Sequence, residues 1–259
     1  MMIAWIEAQS TAVIGVLTFA MCYALAACIL AATALVAHCR VGGEFKFIIP
    51  VLLTPISVIA GLLIAFLAAR VWTNLDHAQG YVAAEASAIR EAALLADALP
   101  DPVRRAVRAD LRQHLAFIDD HDWPDMLAGR ANFRRPPQFL TEAQATLLGF
   151  DAATSGQRVA QERSVVAIER ALEARRGRIL LSNAVVSPAQ WAVIFILDGV
   201  ILTTIGFVHI DRRWTAAAAM ALYSTALAAC LMLLLIHDRP FAVGGYVLQP
   251  EALHQLGAD

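Results

Sequence analysis

An aspartate inside an apolar run is the first residue in this chain that asks for a function. Asp198 lies within Trp191–Val208 (WAVIFILDGVILTTIGFV), a run that is otherwise free of charge. A carboxylate at the centre of a membrane span costs about 2.5–3.5 kcal/mol on insertion scales, so it should face a bundle interior or a wet path. Two readings are open for it. One is an ion or proton site, and the other is an interhelical hydrogen bond to Thr203, Ser224 or Thr225. A second group, His114, Asp119, Asp120, His121 and Asp122, has the residue types of a metal site. Its two histidines are seven residues apart, whereas ligands sharing a site on one helix usually stand three or four apart, and no Cys or Glu completes the set. It reads instead as a solvated, carboxylate-rich helix end, and no metal is expected. Cys22, Cys28, Cys39 and Cys230 follow no zinc or redox spacing and lie in or beside apolar runs. They read as buried free thiols acting as small hydrophobes.

Thr54, Val58 and Leu62 are spaced i, i+4, i+8 and therefore share one helix face. In a ring of copies such a face could form an apolar constriction that gates by dewetting. In a single copy it would be ordinary packing or lipid contact. Pro55 lies in the same stretch. Its ring crowds the carbonyl of Val51, to which it cannot donate. An unmet carbonyl in hydrocarbon is costly unless it faces protein or a water-filled cavity, so this stretch is expected to face the bundle interior.

The elements that must position these residues follow from composition. The chain has 259 residues, of which 59% are hydrophobic and 16% charged, against about 25% charged in a soluble domain. Its mean hydropathy is +0.61. The charges crowd into the middle of the chain, so the apolar excess must form a few long runs. Four runs are long enough to cross about 30 Å of hydrocarbon: about 11–37, 47–69, 188–208 and 215–236. The first lacks the basic n-region and short h-region of a cleaved signal, so it reads as a retained span. Arg40, Gly42, Gly43, Glu44 and Lys46 read as a polar turn between the first two runs. The expected fold is all-α, with four transmembrane helices in two antiparallel hairpins and a helical soluble domain between them. The domain limits would be 1–72, 73–183 and 184–259.

No turn signal separates the second run from the amphipathic stretch after Arg70, so one helix should continue out of the membrane until Leu99-Pro100 stops it. Asp101 should cap the next helix with Pro102 at its first position, and that helix should run to about Asp120. Trp123-Pro124 and Arg134–Pro137 should be the main loop. A short helix should start at Thr141 and end near Gly149, a last one should run from Ser155 to Leu181, and Ser187-Pro188 should open the third span. The net charge is −2, with acids interspersed among the basic residues, which excludes nucleic acid as a partner. There is no phosphate-cradling loop, His-Glu-x-x-His or nucleophile elbow, so no enzyme and no cofactor are expected.

Further residues together resemble one family. They are Trp72 at the end of the second span, Trp123-Pro124, Arg175-Arg176 with Arg178-Ile179-Leu180, Pro188 with Trp191, and Asp238-Arg239-Pro240-Phe241 with Gly244 and Pro250. The family is the bestrophin-like bacterial membrane proteins of unknown function, and the terminal Asp-Arg-Pro-Phe is the most specific piece. More distantly, Pro55-Ile56-Ser57, Gly61, Arg70 and Trp72 resemble the second span of bestrophins, which are pentameric anion channels. Pro240-Phe241 with Gly244 resembles the segment after their fourth span. This resemblance implies an oligomeric anion channel in the bacterial inner membrane, a pentamer by analogy, passing chloride or other small anions. The domain after the second span would be cytoplasmic, and Thr54, Val58 and Leu62 would take the place of the bulky aromatic neck. Arg70 at the exit of that span would attract anions or act as a snorkelling anchor. Bestrophins carry an acidic calcium clasp after Pro-Phe-Gly. Here no carboxylate follows Phe241 until Glu251, so no calcium site is expected. The competing reading is a non-conducting sensor or scaffold whose helical domain binds a partner.

Overall fold

The computed structural model describes residues 10–36, 42–241 and 253. Every regular element among them is helical: α1 (Thr11–Val36), α2 (Gly42–Leu95), α3 (Asp101–Phe117), α4 (Trp123–Leu127), α5 (Gln138–Leu148), α6 (Ser155–Ser182), α7 (Pro188–Val208) and α8 (Arg213–His237). The all-α class therefore stands. Four helices are long and apolar enough to cross a membrane: α1, the first part of α2, α7 and α8. Cys39, Arg40, Gly244, Pro250 and Glu251, invoked above, lie outside the described residues.

Helix α2 is the longest element, and it runs without a break from the apolar stretch into the charged one. It ends where expected. A 3-10 turn over Ala96–Ala98 leads to Leu99, which is extended (φ −94°, ψ 159°) because the following proline disfavours the helical region. Its start differs from the expectation: Gly42 to Lys46 are already helical, so α2 begins five residues before Phe47. Asp101 does not cap α3 either. Pro100 stands at the N-cap, and the Asp101 carboxylate instead pairs with Arg104 inside the first turn. Nor is Trp123-Pro124 a loop. A π-helical turn over Ile118–Asp122 carries the chain from α3 into α4, with Pro124 tolerated near its start, where the N–H has no helical partner. Helix α5 starts at Gln138, three residues ahead of Thr141, whose hydroxyl donates to the carbonyl oxygens of Pro137 and Gln138. At the start of α6, Thr154 accepts from the N–H of Gln157, and the expected start of α7 at Ser187 is a capping box with Gln190.

The chain divides into two compact units. The first comprises Met1–Thr73 with Val185–Arg239, and the second Asn74–Ala184 with Pro240–Asp259. In the first unit α1 packs closely against α8 and α7, and α7 against α8. Helix α1 and the first part of α2 contribute to the same buried clusters, Ala26 with Ala60 in one and Ile14 with Leu67 in the other. Gly206 allows the approach: a Cβ there would lie 2.9 Å from both Met220 Cε and Thr33 Cγ2. Small residues at such crossings let backbones come together where lipid tails give no hydrophobic drive. Of the three described cysteines, Cys22 is buried, while Cys28 and Cys230 are exposed. The buried-thiol reading therefore fails for those two, whose helix faces point away from the packing.

The second unit has its own core. Alternate turns of α2 (Ala78, Ile89, Ala92) meet α3 (Val107, Leu111), α5 (Leu140, Leu147) and α6 (Ala167, Ile168, Ala171). Alanines dominate the facing stripes, so the helices come close. At Gly177 of α6 an added Cβ would overlap the ring of Tyr81 on α2. Gly177→Ala should therefore destabilise the protein by about 1–3 kcal/mol through overpacking, read as a lower thermal midpoint in detergent, and Tyr81→Phe should not relieve it because the clash is with ring carbons.

Candidate functional site

In the first unit, α2 offers a face that its own chain leaves uncovered. Thr54, Val58 and Leu62 are all exposed, as are Val51 and Pro55. The neighbouring face of the same helix carries Ala60, buried with Ile201 and Leu202, and Leu67, buried with Ile14 and Trp191. The stripe at i, i+4, i+8 thus lies together on one side of α2, as the spacing requires. The Pro55 stretch, however, does not face the interior of its own bundle. It faces outward, because Leu53 and Ile56 are the positions that turn toward α7 and α8. Arg70, at the end of this stretch, donates from Nη1 to Gln190 Oε1 at 3.4 Å.

Asp198 is buried, and it lines a small crevice with Ala60, Leu63, Ile194 and Tyr223. The Tyr223 side chain is its polar neighbour, although neither carboxylate oxygen has a hydrogen bond of ordinary geometry. None of the three partners expected from sequence reaches it. Thr203 donates to the carbonyl oxygen of Gly199, Thr225 to that of Ala221, and the buried Ser224 hydroxyl has no partner among the described residues. Hydroxyls within a helix often satisfy themselves on the preceding turn in this way.

The Asp238-Arg239-Pro240-Phe241 motif straddles the division between the two units. Within the first, both Asp238 carboxylate oxygens accept from the N–H of Val186, at 3.0 and 3.2 Å, just before the Ser187 cap. Within the second, Phe241 is buried and meets Trp123 edge-on, with ring centroids 5.6 Å apart. Asp238 and Phe241 are thus anchors where the chain passes from one unit to the other.

The second unit holds a buried charge cluster that sequence reasoning missed. Arg178 on α6 and Glu85 on α2 are both 0% exposed. Arg178 donates from Nε to Glu85 Oε2 at 2.8 Å and from Nη2 to Oε1 at 3.2 Å, the paired geometry that a guanidinium and a carboxylate favour. Arg175, one turn earlier, makes a second fork onto Asp122, at 2.7 and 2.8 Å. Arg178 Nη2 also reaches Asp122 Oδ2 at 3.4 Å, which joins the two pairs. The two arginines and two carboxylates cancel in charge. Trp123 adds its ring face 5.8 Å from the Arg178 guanidinium. Asp122 faces inward because the π turn adds one residue to the register.

His114 belongs to this cluster and not to a metal site. Its Nε2 lies 3.2 Å from Glu85 Oε1. An ionised carboxylate can only accept, so Nε2 carries the proton. His121 stacks on Phe117 with centroids 4.9 Å apart. Among the described residues, no group of His, Cys, Asp and Glu has a metal-binding arrangement. The solvated helix end holds for Asp119, Asp120 and His121, which are exposed, but not for His114 and Asp122, which are buried. The overlooked signal was the α6 apolar stripe Ala167, Ile168, Ala171, Ala174. Arg175 and Arg178 continue it and so had to be buried.

A family profile for the bestrophin-like domain matches residues 19–253. The chain belongs to the bestrophin-like family. The fold of this bestrophin-like chain is similar to that of a solved bacterial bestrophin homologue from Klebsiella pneumoniae, a point mutant, with a TM-score of 0.61. The likeness covers 90% of this chain and 96% of that one, at 12% identity, which speaks to the fold alone. No curated protein matches the chain. The family and the four apolar helices make it a membrane protein.

Burial by itself would push the Glu85 carboxyl up. The Arg178 charge and the hydrogen bonds from His114 and Arg178 outweigh it and hold the group at about 2, against an ordinary 4.5. Because the folded value is the lower one, this pairing stabilises the protein above about pH 4.5, and the contribution is lost as pH falls toward 2. Arg178→Met, which strands Glu85, should cost about 3–5 kcal/mol in the detergent-purified protein. Glu85→Gln should flatten the fall of melting temperature between pH 5 and pH 3, and an unchanged slope would remove Glu85 from the acid limb.

Proposed function

We propose that this bestrophin-like protein is a homo-oligomeric anion channel in which α2 lines the pore. The observation that carries the reading is the uncovered face of α2. Thr54, Val58 and Leu62 stand in line on a span that its own chain barely buries, with Pro55 on the same side. A span of this kind needs a partner or lipid along that face. The proline adds a reason for the partner, because the carbonyl its ring frees is better met beside a hydrated axis than in hydrocarbon. A ring of copies would bring Thr54, Val58 and Leu62 around that axis and set an apolar constriction where bestrophins carry bulkier aromatic residues. Chloride and other small anions are the candidate cargo, a pentamer is the subunit number suggested by analogy, and the membrane is the bacterial inner one. In this reading the polar unit after α2 is cytoplasmic.

The fold neighbour supports the reading by resemblance of architecture. That structure is of a bestrophin homologue, and the likeness extends over most of both chains. The test is the mass of the detergent-purified protein, followed by chloride flux in liposomes. An oligomer with flux is expected. Leu62→Ala should change that flux more than Leu222→Ala, which alters an exposed residue of α8. A monomer without flux would sink the channel and leave the non-conducting scaffold.

A further inference from the structure

The second unit carries a groove that the channel reading does not use. One wall is α2, through Ile89, Arg90, Ala93 and Leu94, and the other is α3, through Arg108, Leu111, Arg112 and Leu115. The α3 residues stand at i, i+3, i+4 and i+7, so they form one continuous face about 10 Å long at 1.5 Å per residue. The space between the walls is about 380 Å³, within the range of small-molecule sites. Its floor is apolar, with Ile89 and Leu111 each only 3% exposed, and Leu94 at the rim is 64% exposed.

The polar groups of the groove are all guanidiniums. Arg112 has no ion pair or hydrogen bond among the described residues. Arg108 is held from one side, where Nη2 meets the Asp97 carboxylate at 2.8 Å, while its Nε is buried with no partner. A buried N–H without an acceptor is costly. Asp97, in the 3-10 turn after α2, is engaged by Arg108, and Glu91 of α2 is engaged by Arg170 on α6. The walls therefore present more positive than negative charge above an apolar floor.

We propose that this groove binds an amphipathic anion: a carboxylate or phosphate head on Arg108 and Arg112, and an apolar chain of about eight carbons along Ile89, Leu111 and Leu115. A free carboxylic acid and a phosphorylated alkyl chain share this chemistry. A purely inorganic anion would leave the floor unused, and an uncharged alkyl chain would leave the guanidiniums unmet. The site stands on the groove alone and does not depend on whether the protein conducts.

The test is saturation binding of labelled octanoate to the full-length protein in detergent, against empty micelles. Octanoate should bind saturably. Octyl phosphate should displace it if the head site accepts either anion, while octanol and acetate should displace it weakly. Arg112→Gln should weaken binding by about tenfold or more through loss of a charge-assisted hydrogen bond. Arg213→Gln, at the exposed start of α8, should leave it unchanged. Octanol competing as well as octyl phosphate, or Arg112→Gln binding like the parent, would overturn the proposal. So would an absence of octanoate binding, and if Arg112→Glu then also split the oligomer, the groove would belong to a second copy of the chain.

Discussion

A guanidinium that no water reaches must have its charge met inside the protein, and Arg178 meets it on Glu85. Much of the second unit depends on that pair. Glu85 belongs to α2 and Arg178 to α6, so the bond fixes the rotation of both helices about their axes. It brings in Asp122 through the π turn and His114 through α3, and it places Trp123 beside the guanidinium. A buried pair of this kind adds little net stability over well-packed apolar residues, but removing one partner is expensive. Here its effect is on arrangement. The alanine stripes of α2 and α6 could slide past each other at little cost, whereas the forked Glu85–Arg178 pair accepts one register only.

The first unit is arranged by a different constraint. Backbone polar groups in hydrocarbon must be satisfied within helices, so the spans are long and regular. What holds them together is close packing through small residues, as at Gly206. Helix α2 takes part in this packing on one face only. Its other face, with Thr54, Val58 and Leu62, is left for lipid or for another copy. Because α2 continues without interruption past Arg70, the helix that offers this face also carries Glu85.

The Asp238–Phe241 segment ties the chain into each unit in turn. Asp238 accepts the N–H of Val186 where the chain re-enters the first unit, and Phe241 fills the core of the second against Trp123. Both are anchoring tasks at points where the chain passes from one unit to the other.

Length, hydropathy and helix signals by themselves determined the all-α class, the four apolar spans, the continuity of α2 up to Leu99-Pro100 and the capped start of α7 at Ser187. Each of these rests on local preferences: apolar run length, the restriction a proline places on its neighbour, and the acceptor a serine offers a free N–H. The sequence also placed Thr54, Val58 and Leu62 on one face, since that follows from helical periodicity. Only the tertiary structure decided which way that face turns, which helices α1 packs against, and that His114 and Asp122 serve an ion-pair cluster. Those outcomes depend on partners distant in the chain. Glu85 and Arg178 are 93 residues apart, and a charge reads as solvated until the opposite charge that buries it is found.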